Sequence, residues 1–391
     1  MAAPRTHLFV APSRVAFGEA LLGLRLAWQL HARGERALFL APETLAPLFA
    51  GTPFPHGPID PVLRTLPRAL PDIVRARGCD TVILLDLALA YLTCFALHID
   101  HAFLARLPVA TAALDIWDLA GGDRRWDLCE VEWRVPDAAV DPGWRRLVPV
   151  PFARAAHPAA YNALPDVAPI GAAARARIRA DLGLGDGERM IVLTTAGFQA
   201  RALTPFQTRA LAALPDVLAA VAAGLGPGVR ILHIGPAPIA AGPAYRHRPP
   251  LAPAEFVRVL GAADLLLTLN RAATSVSTAL AVGVPAVTAT SSFVGSGGAS
   301  PWLARVAPAF PFRMFPFGAH HAMAATLRDN PYAAVVPEVE LFDPDEVARV
   351  CRGLLVDADA RAVAGERARA YVEAVRALPT ALARFDEVLP P

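Results

Sequence analysis

THLFVAPSRVAFGEALLGLRLAWQLHARGERALFLAP, residues 6–42, decides the fold class. Thr6-His-Leu-Phe-Val-Ala11 is a short apolar run that Pro12-Ser13 ends. From Gly18 to Arg33 the apolar residues return at helical spacing, and Gly34 closes the pattern as a C-cap. Arg36–Leu40 is a second buried strand. The same grammar continues outward: a helix over Val62–Arg77, a strand over Thr81–Leu85, a helix over Leu87–Leu104 and a strand over Val109–Leu114. Strands alternating with helices predict a parallel sheet covered by helices on both faces.

After Asp115 the periodicity fails. Trp117, Asp118, Gly121-Gly122, Trp126, Trp133 and Trp144 lie in a charged, loop-rich stretch that ends at Pro149-Val-Pro151, and a domain boundary is expected near residues 150–165. Beyond it the pattern resumes with a helix at Ala172–Leu182 and a strand at Met190–Thr194. A helix at Pro205–Ala223, a strand at Val229–Ile234, a helix at Pro253–Leu260 and a strand at Asp264–Leu269 follow. Then come a helix at Ser275–Val282, a strand at Pro285–Thr288, and helices at Pro344–Leu354, Asp357–Leu378 and up to Glu387. The expectation is an α/β protein of two doubly wound Rossmann-like domains facing across a cleft, residues 1–155 and 156–391, with C-terminal helices packing back across the pair. Ligands in such sheets sit at the carboxyl ends of the strands.

Composition agrees and narrows the chemistry. The 391 residues suit two domains of about 150 or more, and 54% apolar residues can fill both cores. Pro 38 and Gly 27 fall short of the roughly 25–30% that marks low-complexity chains. All 37 basic residues are Arg. Without Lys there is no P-loop, no protein-kinase strand lysine, and no ε-amine to form the imine of pyridoxal-phosphate enzymes or Schiff-base aldolases. A formal net charge of +2, with the two signs interspersed, offers no basic stripe for nucleic acid. Cys79, Cys94, Cys129 and Cys351 have no CxxC spacing and read as buried thiols of a reducing cytoplasm. No export signal is visible. Thr81–Ile99 reads as a buried strand running into a buried helix and not as a membrane span, so the chain is expected to be cytoplasmic despite its mean hydropathy of +0.39.

Three stretches carry a family resemblance. They are PSRVAFGEALLGLRLAWQLHARGERALFLAP at residues 12–42, AADLLLTLNRAATSVSTALAVGVPAV at 262–287, and ELFDPDEVARVCRGLLVDADARAVAGERARAYVEAV at 340–375. Together they resemble the N-terminal domain, the donor-side motif and the C-terminal helices of GT-B glycosyltransferases. The resemblance implies transfer of a sugar from a nucleotide-activated donor to a small-molecule or peptide acceptor. It implies no cofactor and no metal, since these enzymes bind the donor through side chains and helix dipoles. A nucleotide-sugar epimerase or hydrolase would use the same cleft. A GT-B-shaped protein that binds a ligand or assists a partner enzyme is the third reading.

The resemblance also points to residues. In inverting members the N-terminal loop carries a His after a Gly; the matching pair here is Gly18-Glu19, so Glu19 is the candidate general base. The family's diphosphate turn and its ribose-binding Glu match Asn270 and Thr278. The helix starting at Thr274 and Ser275 offers free N–H groups and a dipole to a phosphate. Thr195 and Gly197 follow the first strand of the second domain, where donors of this family meet a Gly/Ser/Thr turn. On the acceptor side stand Ser13, Asp115, Trp117 and Asp118, with Asp115 as a second catalytic carboxylate. Ser291–Gly298 reads as a ligand-closing loop. His98 and His101 have HxxH-like spacing, but lack a third metal ligand.

Overall fold

The computed structural model describes residues 4–13, 17–116, 118, 125–128, 131–134, 145–150, 157–199, 205–239, 242–271, 273–291, 302, 327 and 330–389. The chain divides into two compact units. Residues 1–124, 134–165 and 375–391 make the first, residues 125–133 and 166–374 the second. The division expected at 155/156 gives the whole tail to the second domain; residues 375–391 instead belong to the first unit.

The first unit contains β1 (Thr6–Val10), α1 (Phe17–Ala32), β2 (Arg36–Ala41), β3 (His56–Pro58), α2 (Leu66–Arg77), β4 (Thr81–Leu84), α3 (Leu87–Ala96) and β5 (Ala110–Leu114). After the two-stranded sheet of β6 (Arg125–Leu128) and β7 (Val131–Arg134), β8 (Arg145–Pro149) and β9 (Ala160–Tyr161) complete it. The main sheet has the order β3-β2-β1-β4-β5-β8-β9, and every pairing in it is parallel. β1 and β4 are buried at every position, which is why both read as continuous apolar runs and not as alternations. The strand order reverses between β1 and β4, so their carboxyl ends flank the crevice where this sheet type holds ligands.

Local chemistry sets the element ends. Gly34 turns the chain out of α1 at φ +90°, a left-handed conformation free of Cβ conflict only for glycine, and Glu35 N–H returns to the Leu30 carbonyl at 3.0 Å. Asp86 caps α3 by accepting the Leu89 N–H at 2.8 Å. The helix expected over Leu87–Leu104 is broken. It stops at Ala96, His98 adopts a left-handed φ of 56°, and Asp100 starts a separate 3₁₀ turn over His101–Arg106. His101 packs edge-on against Tyr91 at 5.2 Å. Among the described residues no His, Cys, Asp and Glu cluster of three forms a metal site.

The last helix of the chain belongs to the first unit. Thr380 caps it, Leu382 N–H donates to Gln29 Oε1 at 3.0 Å, and Arg33 Nη1 pairs with Asp386 at 2.6 Å. Its Phe385 is fully buried, edge-on to the His7 ring at 5.4 Å. His7 lies near the start of β1, bonded to Thr81 Oγ1 at 2.6 Å and to the Glu35 carboxylate, away from the carboxyl edge of the sheet.

The second unit runs α4 (Ala172–Asp181), β10 (Arg189–Thr194), α5 (Pro205–Leu225), β11 (Val229–Ile234), β12 (Tyr245–Arg248), α6 (Pro253–Gly261), β13 (Leu265–Thr268), α7 (Thr274–Ala281) and β14 (Ala286–Thr290). It continues through α8 (Pro331–Val335), β15 (Glu338–Glu340), α9 (Pro344–Val356) and α10 (Ala358–Arg376), leaving α11 (Ala381–Val388) to the first unit. Its parallel sheet has the order β12-β11-β10-β13-β14-β15, reversing between β10 and β13. Ile191, Leu193, Leu265, Leu267 and Val287 pack against Leu214, Val217 and Val221 of α5 and Val347, Cys351 and Leu355 of α9. Among the described residues no helix is long and apolar enough to cross a membrane; Thr81–Ile99 contains β4 and α3. Cys79, Cys94 and Cys351 are buried free thiols, and Cys129 lies outside the described residues.

Candidate functional site

In the second unit the carboxyl edge gathers hydroxyls at the strand-order reversal. Thr194, the last residue of β10, and Ser275, in the first turn of α7, bring their oxygens to 3.1 Å. Ala273 precedes α7 and no side chain caps it, so the first-turn N–H groups keep the partial positive charge of a helix start. Thr274 is half-buried at the same turn, and Asn270 lies between β13 and α7 with its N–H on Thr268 Oγ1 at 3.3 Å. The β13–α7 connection is braced from outside: Tyr332 O–H donates to the Arg271 carbonyl at 2.9 Å, and Glu338 pairs with Arg271 Nη1 at 2.7 Å. Thr278 is buried, its hydroxyl donated to the Thr274 carbonyl at 3.0 Å, so that proton is spent inside the helix.

Thr195 and Gly197 follow β10 as expected. Gly197 is exposed and opens a short 3₁₀ turn in which Gln199 Oε1 accepts the Ala196 N–H at 2.6 Å. The Gln199 Nε2 and Ser277 Oγ atoms are buried with no hydrogen-bond partner among the described residues. Ser277 lies in the first turn of α7, where an unpartnered hydroxyl suits an anionic ligand. Thr195 Oγ1 lies 2.7 Å from His233 Nε2, and His233 Nδ1 lies 2.6 Å from the Tyr245 hydroxyl. Burial and, secondarily, the neighbouring His247 push the His233 imidazole down to about 4, so it is neutral near pH 7.

In the first unit Glu19 stands in the first turn of α1, just beyond the carboxyl end of β1, and Ser13 is half-buried in the connection between them. Glu19 is half-buried, and desolvation pushes its carboxyl up to about 7. Asp115, at the end of β5, is different. Its side chain is fully buried and receives Arg146 Nη1 at 3.1 Å, so it is paired with a cation that no sequence motif marks. Asp118 follows in a left-handed conformation, φ 48°, 3.4 Å from both Arg146 Nη1 and His157 Nε2. Trp117, His320, His321, Arg313 and the loop following Ser291 lie outside the described residues.

Sequence reasoning missed His233, Tyr245, Arg271, Arg146 and His157. Each becomes a site neighbour only through strand pairing or a loop brace, and no local motif marks it. β12, YRHR, was also missed, being a polar edge strand without apolar alternation.

Comparison with known proteins places the chain. The model of DUF6365, a family of unknown function, matches residues 26–390. The chain belongs to this family. No curated protein matches its sequence. Solved structures similar to this DUF6365 chain include the spinosyn forosaminyltransferase SpnP, with a TM-score of 0.58 at 12% identity over 99% of this chain and 98% of that one. HepE of Anabaena, in complex with UDP-glucose, gives 0.53 at 13% identity over 98% of both chains. The glycosyltransferase SnogD from Streptomyces nogalater gives 0.50 at 14% identity over 99% of both. The likeness establishes the fold: two parallel α/β domains of the GT-B type, as the three sequence stretches implied.

Proposed function

We propose that the protein transfers a sugar from a nucleotide-activated donor to a small-molecule or peptide acceptor, without a metal. The observation that carries the reading is the convergence of the Thr194 and Ser275 hydroxyls on the uncapped start of α7, at the reversal between β10 and β13. Hydroxyls and helix N–H groups suit the donor's diphosphate, with Thr195, Gly197, Asn270 and Thr274 around it. That HepE is seen with UDP-glucose supports this donor class. Glu19 takes the proton of an acceptor hydroxyl held near Ser13 and Asp118. As the acceptor oxygen bonds to the anomeric carbon, the bond to the diphosphate breaks and the nucleoside diphosphate leaves with the electron pair. One feature favours a binding protein without turnover: Thr278 stands where the family's ribose-binding carboxylate would be, and its hydroxyl is occupied.

The test is thermal unfolding against UDP, GDP, dTDP, CMP and their sugars. A ligand at 100 times its Kd stabilises by about 2.7 kcal/mol, so one nucleotide class should raise the midpoint measurably. Ser275→Asp places a carboxylate against the phosphate site and is expected to abolish that rise while leaving the midpoint without nucleotide within about 2 °C, as half-exposed substitutions usually cost little. Silence from every nucleotide at millimolar concentration overturns the donor site. A nucleotide shift with no sugar transfer to any acceptor would favour the binding protein.

A further inference from the structure

We propose that the groove on the outer face of β11 and β12 is an anion site for a small phosphate-bearing molecule, with Arg246 and Arg248 gripping the phosphate over a floor of Met190 and Leu232. The proposal is independent of the donor site. The groove begins at the amino ends of β10 and β11, whereas Thr194 and Ser275 meet at the carboxyl edge.

Strand alternation decides which side chains share this face. Met190 lies beside Arg230, Leu232 beside Arg246 and Ile234 beside Arg248, all on the side of the sheet away from the α5 and α9 core. β12 is the end strand of its sheet, and its Arg246 and Arg248 stand where an inner strand carries apolar residues. Between these arginines and the turn after α4 lies a cavity of about 160 Å³, lined by Asp181, Met190, Arg230, Leu232, Arg246 and Arg248 among others. Drug-sized sites run to roughly 300–1,000 Å³, so a ligand seated here is small. Met190 and Leu232 are buried, and an apolar floor strengthens the attraction of a cation for an anion above its value in open water.

The three guanidinium groups are unequally engaged. Arg230 gives Nε to Glu188 at 2.7 Å and Nη1 to the Pro243 carbonyl at 3.1 Å, so most of it is spent inside the fold. Arg246 gives one N–H to the Leu182 carbonyl at 3.2 Å, and no carboxylate among the described residues forms an ion pair with it. Arg248 lies 3.8 Å from Glu255, beyond hydrogen-bond distance, and its guanidinium donates to none of the described residues. Two cations therefore keep most of their N–H groups unspent, against one carboxylate, Asp181, in the lining. Their Cα atoms, two residues apart on one strand, are roughly 6–7 Å from each other, close enough for one phosphate or diphosphate to meet both forks. An arginine that merely guards a sheet edge points to water. Arg246 is instead drawn by the Leu182 carbonyl toward α4, across the groove.

Calorimetric titration of the full chain with pyrophosphate at low ionic strength tests the site. The parent for the comparison carries Ser275→Asp, which repels pyrophosphate from the start of α7 and leaves the groove to give the signal. Added to this parent, Arg246→Ala and Arg248→Ala should each weaken binding by about 10- to 100-fold, the worth of a hydrogen bond to a charged group. Arg246→Lys keeps the charge without the fork and should recover only part of the loss. Arg248→Ala breaks no hydrogen bond of its guanidinium to the described residues, so a loss of binding there is not a loss of fold. No pyrophosphate binding by the parent at millimolar concentration, or equal affinity in the parent and both alanine variants, overturns the proposal. UDP titrated into wild type reads the donor site separately: UDP binding with a silent groove refutes only the groove. Pyrophosphate binding that Arg248→Ala abolishes, with UDP silent, upholds the groove while the donor reading falls.

Discussion

Glu19→Gln is expected to lower kcat/KM for sugar transfer by about 100- to 10,000-fold, the range that general bases contribute, while the folded state survives. The argument turns on which influence on this carboxyl wins. A helix start favours a carboxylate by about 0.3–1 kcal/mol, less than one pKa unit. Desolvation in the first turn of α1 works the other way and outweighs it, carrying the group from 4.5 up to about 7. A base poised there is half-ionised near neutrality and returns its proton readily. The pH profile of kcat/KM should therefore rise to a plateau above about 7 in the wild type and stay flat in the variant.

Stability should move in the opposite direction. Between 4.5 and about 7 the folded state binds a proton that the unfolded chain has released, so stability falls as pH rises through this window. Glu19→Gln removes that fall. Urea unfolding at pH 5 and pH 8 reads the second effect and turnover the first. A fully active variant removes Glu19 from the mechanism, and a variant merely unfolded at pH 8 would show the opposite stability change.

The parts of the molecule that could be read from its sequence are those where one physical signal dominates. β1, β4 and β13 are buried on both faces and appear as unbroken apolar runs. α1 shows its helical period and its glycine stop, and Thr274-Ser275 shows a helix start. Where signals compete, the reading fails. β8 and β9 are short, and β8 carries Arg145 and Arg146 at its start, so a charged loop was the natural inference. His98 interrupts a helix whose composition gives no warning, because a left-handed residue other than glycine is set by tertiary packing. Asp115 reads as a catalytic carboxylate by its place after a strand; only β8, pairing beside β5, brings Arg146 onto it. The candidate donor site was half legible for the same reason. Thr195 and Ser275 lie on local motifs, whereas His233 and Tyr245 reach Thr195 only through the registers of β11 with β10 and β12.

Asp264→Ala is expected to give the largest loss of stability of any single polar change discussed, about 3 kcal/mol. Removing one partner of a buried ion pair costs roughly 3–5 kcal/mol because the opposite charge is stranded. Asp264 precedes β13 at the amino edge of the second sheet, and three guanidinium groups close on it. Arg175 Nη2 lies at 2.8 Å, Arg179 Nη1 at 3.0 Å and Arg189 Nη1 at 3.5 Å. It also accepts the Met190 N–H at 2.8 Å, so its loss orphans a backbone donor as well. The side chain is 8% exposed and Arg179 17%, but Arg189, at 41%, can turn to water, and Arg175, at 33%, keeps backbone partners, which holds the expected cost to the lower end of the range. Arg175 and Arg179 have less freedom, since Arg175 also donates to the Gly261 and Ala263 carbonyls and Arg179 to those of Ala262 and Glu188. Asp264→Asn separates the contributions: it keeps an acceptor for Met190 and loses only the charge, so it should cost less than the alanine. Urea midpoints for both variants, with Arg349→Ala as an exposed control, decide the matter. The Arg349–Glu346 pair sits in water and should give no measurable shift. Equal midpoints for Asp264→Ala and wild type would mean that Arg175 and Arg179 are held by the backbone carbonyls they also reach, that Arg189 turns to water, and that the carboxylate is dispensable.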